Sequence, residues 1–166
     1  MKNNRNPFLS KTKYLDGLKC PKLLWYEYNR KEDLPEIDAA TQAIMDQGKI
    51  VGELAQTLFP NGIVLQRDPA PDKQAEKSLE AAKLRKPLFE AGFVHKQAYA
   101  LVDILNPVEK NAWDIIEVKS SSSVKDEHHR DVAFQKYTYE GAGLKIRKCY
   151  LMYINNQYVR KGKIEP

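Results

Sequence analysis

The chain predicts an α/β fold in the order helix, three strands, helix, strand, behind an N-terminal helical segment. Three observations carry that expectation. Between Ile37 and Phe59, the residues Ile37, Ala40, Ile44, Val51, Ala55 and Leu58 recur at helical steps. Between Gly92 and Lys119, three short runs rich in β-branched and aromatic residues are separated only by turn chemistry. A charged stretch from Asp126 to Glu140 then separates them from a last strand-like run, Lys145 to Ile154. With 166 residues, one domain is expected over 1–166, divided into a helical segment 1–35 and a core 36–166.

Each element has a local reason. Ser10 can cap a short helix starting at Lys11, and Cys20-Pro21 interrupts it. Lys22 to Tyr28 resumes as helix, with Pro21 tolerated in its first turn. Glu32, Asp33 and Pro35 mark a loop. The long helix from Ile37 stops at Pro60-Asn61-Gly62, Ile63-Val64-Leu65 is a short strand, and residues 73–86 return to helix before Pro87. Gly92–Gln97, Tyr99–Leu105 and Trp113–Lys119 are the three central strands. Ser120–Ser123 is a polar loop without a base beside it, which argues against a serine nucleophile. Gly141 and Gly143 end the last helix, and Asn155-Asn156 turns the chain toward Tyr158-Val159-Arg160.

Composition narrows the class. Hydrophobic residues are 42% and charged residues 30%, as in an ordinary water-soluble domain. No apolar run nears the ~20 residues of a membrane span, and the basic N-terminus lacks an apolar signal core. A cytoplasmic location without a membrane partner is therefore expected. The net charge of +5 is unevenly spread: residues 1–31 hold eight Lys/Arg against two Asp/Glu, and residues 145–166 six against one. Basic ends around an acidic centre suit a protein that grips a polyanion and holds cations, or simply one kept soluble by lysines. Two cysteines, Cys20 and Cys149, cannot close a zinc or iron–sulfur site by themselves and are expected to be reduced.

The chemistry-bearing residues fall in the three-strand region. Asp103 interrupts an apolar strand, and Glu117-Val118-Lys119 ends the next one. A hairpin centred near residue 108 brings Asp103 close to Glu117, and strand alternation puts Glu117 and Lys119 on one face. Two carboxylates and a lysine suit metal-assisted phosphodiester hydrolysis, with Mg²⁺ or Mn²⁺ on Asp103, Glu117 and the Val118 carbonyl. Lys119 would orient the attacking water or neutralise the transition state. A cross-strand salt bridge uses the same residues. On the following helix Asp131, Gln135 and Tyr139 share one face, either toward that centre or as a solvated stripe beside the packing residues Val132, Ala133 and Phe134.

The ordered set Asp103, Glu117-x-Lys119 and Gln135-x-x-x-Tyr139 resembles the RecB-type branch of PD-(D/E)XK nucleases. Leu9-Ser10-Lys11-Thr12, with Cys20-Pro21 and Trp25, is similar to the N-terminus of CRISPR-associated RecB-like nucleases. Gly48-x-x-Val51-Gly52-Glu53-Leu54-Ala55, Phe59-Pro60 and Asp131-Val-Ala-Phe-Gln135 resemble a poorly characterised bacterial family in which such a domain precedes an RNase H-like exonuclease domain. The resemblance implies a restriction-endonuclease-like core, a central mixed sheet flanked by helices with an N-terminal helical cap. It implies a Mg²⁺- or Mn²⁺-dependent nuclease acting on DNA that is single-stranded or has free ends, in repair, processing or defence. Asp103 and Glu117 would be metal ligands and Lys119 the catalytic lysine. Gln135 and Tyr139 would position substrate or support the centre.

Three positions depart from the family pattern. Gly52 stands where a histidine is common, and its neighbour Glu53 faces either the metal or solvent. Ala100 replaces a glycine before the catalytic Asp. Of the early and late cysteines that bind an iron–sulfur cluster in relatives, Cys20 alone matches, so a cluster is expected only in a longer chain. The ending Lys163-Ile164-Glu165-Pro166 reads as mid-protein sequence. Lys22, Arg30 and Lys125 are candidate nucleic-acid contacts or solvated lysines and arginine, Lys22 and Arg30 being interleaved with Trp25, Tyr26 and Tyr28. Trp25 is expected in the core of the helical cap, and the adjacent His128 and His129 at the surface. The competing functional readings are a catalytically inactive nucleic-acid-binding or scaffolding module, and a generic α/β domain.

Overall fold

The computed structural model describes residues 7–162, so residues 1–6 and the ending at 163–166 lie outside the description. A two-residue strand β1 (Leu9–Ser10) leads into helices α1 (Lys11–Lys19) and α2 (Pro21–Asn29), then a 3₁₀ turn (Lys31–Asp33). The chain continues as α3 (Ala39–Gln56), β2 (Ile63–Val64), α4 (Pro71–Ala82), β3 (Leu88–His95), β4 (Ala98–Val108), β5 (Ala112–Lys119), α5 (Asp126–Gly141) and β6 (Lys145–Tyr153). Ser10 caps α1, its hydroxyl accepting from the Lys13 N–H at 3.3 Å, and Pro21 sits in the first turn of α2. Residues 158–160 form no strand.

The sheet is mixed, ordered β2-β3-β4-β5-β6, with β1 pairing on β4. β3, β4 and β5 form an antiparallel meander, while β2 on β3, β6 on β5 and β1 on β4 are parallel. A parallel neighbour needs a crossover, and α5 supplies the one between β5 and β6. The β4–β5 pairing runs from Val108 opposite Ala112 to Ile104 opposite Ile116. Its turn is therefore centred two residues later than the sequence suggests, and one further step sets Asp103 against Glu117.

Two apolar clusters hold the layers. The larger gathers Leu88, Phe93, Val102, Leu105 and Ile115 with Phe134 and Tyr139 of α5. The smaller gathers Phe89, Ile104 and Ile116 with Ala55 of α3. Ala55 is the sole buried residue of α3, and Ile44 (64% exposed) and Leu54 (67%) stay open to solvent. The amphipathic pattern thus forms its helix, but that helix touches the sheet through Ala55 and leaves most of its apolar stripe uncovered.

Strand alternation breaks at one level of the sheet. Phe89 and Ile104 belong to the smaller cluster, yet Ala91 and Val102, two residues along the same strands, belong to the larger. Between them lie Glu90 and Asp103, which the β3–β4 pairing skips, and Glu90 has φ +59°. Helix α4 satisfies the backbone there. Buried Gln74 donates to the Glu90 carbonyl at 3.0 Å, and the Ser78 hydroxyl accepts from the Gly92 N–H at 2.9 Å.

Candidate active site

The centre is assembled from four elements. β5 delivers Glu117 and Lys119 on one face, α5 delivers Asp131 and Gln135, the first residue of α1 delivers Lys11, and β4 delivers Asp103. Glu117 is buried. Its Oε1 accepts from Lys11 Nζ at 2.8 Å and Lys119 Nζ at 2.7 Å, and its Oε2 accepts from Gln135 Nε2 at 2.6 Å. Asp131 mirrors it: Oδ2 receives Lys119 at 2.5 Å, and Oδ1 receives Gln135 at 2.8 Å and pairs with Lys11 at 3.2 Å. Asp103 Oδ2 accepts from the Val118 N–H at 2.7 Å, pinning that carboxylate beside β5.

Gln135 bridges the two carboxylates through one amide nitrogen. Both partners need a donor there, which fixes which end of the amide faces them. Its Oε1 is left buried without a hydrogen-bond partner. Tyr139, one helical turn on, does different work. Fully buried, its hydroxyl donates to the carbonyls of Ala91 at 2.6 Å and Ala100 at 3.3 Å, tying α5 to β3 and β4.

The electrostatics follow from burial and crowding. Burial pushes the carboxyls of Asp103 and Glu117 upward against the opposing pull of Lys11. For Asp131 burial also acts upward, but Lys11 and Lys119 together overcome it and hold the group at about 2. Burial alone would lower both lysines; the charges of Glu117 and Asp131 reverse the sign and keep them cationic.

Asp103 also faces open space. A cleft of about 620 Å³ between α3 and the sheet is lined by Glu53, Arg67, Glu90 and Asp103 among others. A narrower groove of about 130 Å³ takes in Ser10, Lys11, Thr12 and Tyr99 and shares Arg67, Glu90 and Asp103 with the cleft. The two meet at Asp103. Arg67 reaches Glu90 at 2.7 Å.

Not every expected site residue joins this centre. Glu53 lies exposed on α3 at the cleft wall, 3.9 Å from Lys49, and so faces the cleft and solvent together. Lys22 is exposed with its Nζ 5.9 Å from the Tyr26 ring, and Arg30 pairs with Asp33 at 2.7 Å; the partners of Glu117 are Lys11, Lys119 and Gln135 instead. Lys125 is exposed at the N-terminus of α5. Cys20 is exposed at the α1–α2 junction and Cys149 is half-buried on β6.

Two expectations are corrected. Trp25 is 52% exposed, since α2 turns that face outward, and stacks edge-on with Tyr26. His128 is buried, because its Nδ1 accepts from the Lys125 N–H at 3.2 Å to cap α5; burial lowers its pKa and Lys119 adds to that. Sequence reasoning named Lys11 only within the Leu9-Ser10-Lys11-Thr12 resemblance and gave it no place at the site. It missed Glu90, although a charge within Leu88-Phe89-Glu90-Ala91 was a signal.

No family model matches the chain, and no curated protein matches it.

Proposed function

We propose that this chain is a metal-dependent nuclease domain of the RecB-like PD-(D/E)XK type, hydrolysing DNA phosphodiesters at the centre around Asp103, Glu117 and Lys119. The observation that carries the reading is the convergence of Glu117, Lys119 and Gln135, 18 residues apart in sequence at most, in one hydrogen-bonded group beside Asp103. A solvated stripe would leave Gln135 exposed, and a plain salt bridge would not recruit a buried amide to hold the carboxylate.

Among the described residues, no three His, Cys, Asp or Glu side chains gather into a group that could hold a metal ion by themselves. The chemistry of the donors nonetheless fits a hard divalent cation. The Asp103 and Glu117 carboxylates and the Val118 carbonyl are all oxygen, as Mg²⁺ and Mn²⁺ prefer. Such an ion would supply Lewis acidity and a lowered pKa for water. The chain's own residues do the rest. Lys119, gripped by Glu117 and Asp131, would supply fixed positive charge beside the Glu117 carboxylate. Gln135 holds the Glu117 carboxylate in orientation, and Tyr139 locks the helix that carries Gln135. The cleft beside α3 gives a single strand room to reach Asp103, with Arg67 on its wall.

Glu117→Ala would strip two ammonium groups of their acceptor, so Glu117→Gln and Lys119→Met are the better variants. Labelled single-stranded DNA with Mn²⁺ should be cut by the intact chain, not in chelator, and at least about 100-fold more slowly by either variant. Wild-type rates in both variants would refute the site. A second reading draws on the crowding of Glu117 by Lys11, Lys119 and Gln135: a nuclease-like module that binds nucleic acid without cutting it. Steeply salt-dependent DNA binding with no cleavage in Mn²⁺ would favour it.

A further inference from the structure

Lys11 is the residue of the centre that the catalytic reading does not use. It comes from outside the β5–α5 unit, carried in by the pairing of Leu9 and Ser10 with Ala98 and Tyr99. Its ammonium lies on Glu117 Oε1 at 2.8 Å and near Asp131 Oδ1 at 3.2 Å, with the side chain 19% exposed. A carboxylate offers about four lone-pair directions. On Glu117 three are taken, by Lys11, Lys119 and Gln135.

We infer that the Lys11 ammonium and a divalent cation compete for Glu117, so that loading the ion moves Lys11 off the carboxylate. The inference rests on the reading of Asp103 and Glu117 as cation ligands. Of the two lysines, Lys11 is the less closely held. Lys119 is fixed on β5 two residues from Glu117 and holds Asp131 at 2.5 Å, whereas the Lys11 contact with Asp131 is 3.2 Å. Lys11 also has somewhere to go, because it already lines the groove that holds Thr12, Arg67 and Asp103. A displaced ammonium there would meet a phosphate approaching Asp103. Cations gathered on one carboxylate repel each other, and a divalent one binds the carboxylate pair more strongly than an ammonium does.

Calorimetric titration of the chain with Mn²⁺ alone, without DNA, reads the competition. Lys11→Met removes the competitor and should tighten Mn²⁺ binding about tenfold or more, whereas Lys11→Arg keeps the charge and should leave it near wild type. Equal or weaker binding by Lys11→Met overturns the inference while leaving the cation site intact. If the wild-type chain binds no Mn²⁺ at all, the cation reading fails and this one with it. Should Lys11→Met not fold, amine-reactive footprinting of the wild-type chain decides: Lys11 should be modified several-fold faster once Mn²⁺ is added, and unchanged reactivity overturns the proposal.

Discussion

Asp131 shows how much one side chain at this centre depends on its neighbours. Burial raises its pKa, yet Lys11 and Lys119 bring it from 3.8 to about 2. Because the folded value lies below the unfolded one, its contribution to stability is complete above pH 3.8 and is lost as pH falls toward 2. Asp131→Asn should therefore flatten the acid limb of stability against pH in that window. At neutral pH it should cost on the order of 3 kcal/mol by chemical denaturation, since two lysines lose a buried partner. An unaltered acid limb would show that the two ammonium groups do not act on Asp131 as the distances imply. At this scale the sequence was partly legible. Asp131 and Gln135 share a face by spacing alone, and Glu117 and Lys119 by alternation. Lys11 was not, because its place depends on a two-residue strand pairing with β4 nearly ninety residues away, and no local pattern encodes such a partner.

Among the elements, α5 bears the most on the centre, and its packing is close. A Cβ on Gly141, at its end, would lie 2.2 Å from the ring of His95 on β3. On α3, by contrast, a Cβ on Gly52 would meet nothing within 4 Å. Gly141→Ala should cost about 1–3 kcal/mol, while Gly52→Ala should gain about 0.5–1 kcal/mol from helix propensity; denaturant midpoints of the pair read the contrast. A neutral Gly141→Ala would mean that α5 can shift against β3 without cost. Most elements were readable from periodicity and turn residues, including the stop of α2 near Asn29 and the strand at Ile63. What periodicity could not show is the break in alternation at Glu90 and Asp103. It arises because two strands lose their pairing together and α4 supplies Gln74 and Ser78 in compensation, which is a tertiary arrangement.

For the whole molecule, the mixed sheet sets the centre where α1, β4, β5 and α5 meet, beside a cleft walled by α3. The hairpin that sets Asp103 against Glu117 was visible in the sequence, whereas the parallel pairings of β1, β2 and β6 were not. Nor was how far α3 covers the sheet, since an apolar stripe reads the same whether or not it finds a partner. Among the described residues no helix is long and apolar enough to cross a membrane. The proposed chemistry requires that Asp103 and Glu117 together seat a divalent ion beside Lys119. Anomalous scattering from crystals soaked in Mn²⁺ tests it most directly. One strong peak is expected in contact with both carboxylates and the Val118 carbonyl; a peak confined to exposed acids such as Glu53 and Asp46, with Glu117 still bound to both lysines, would rule out this cation site.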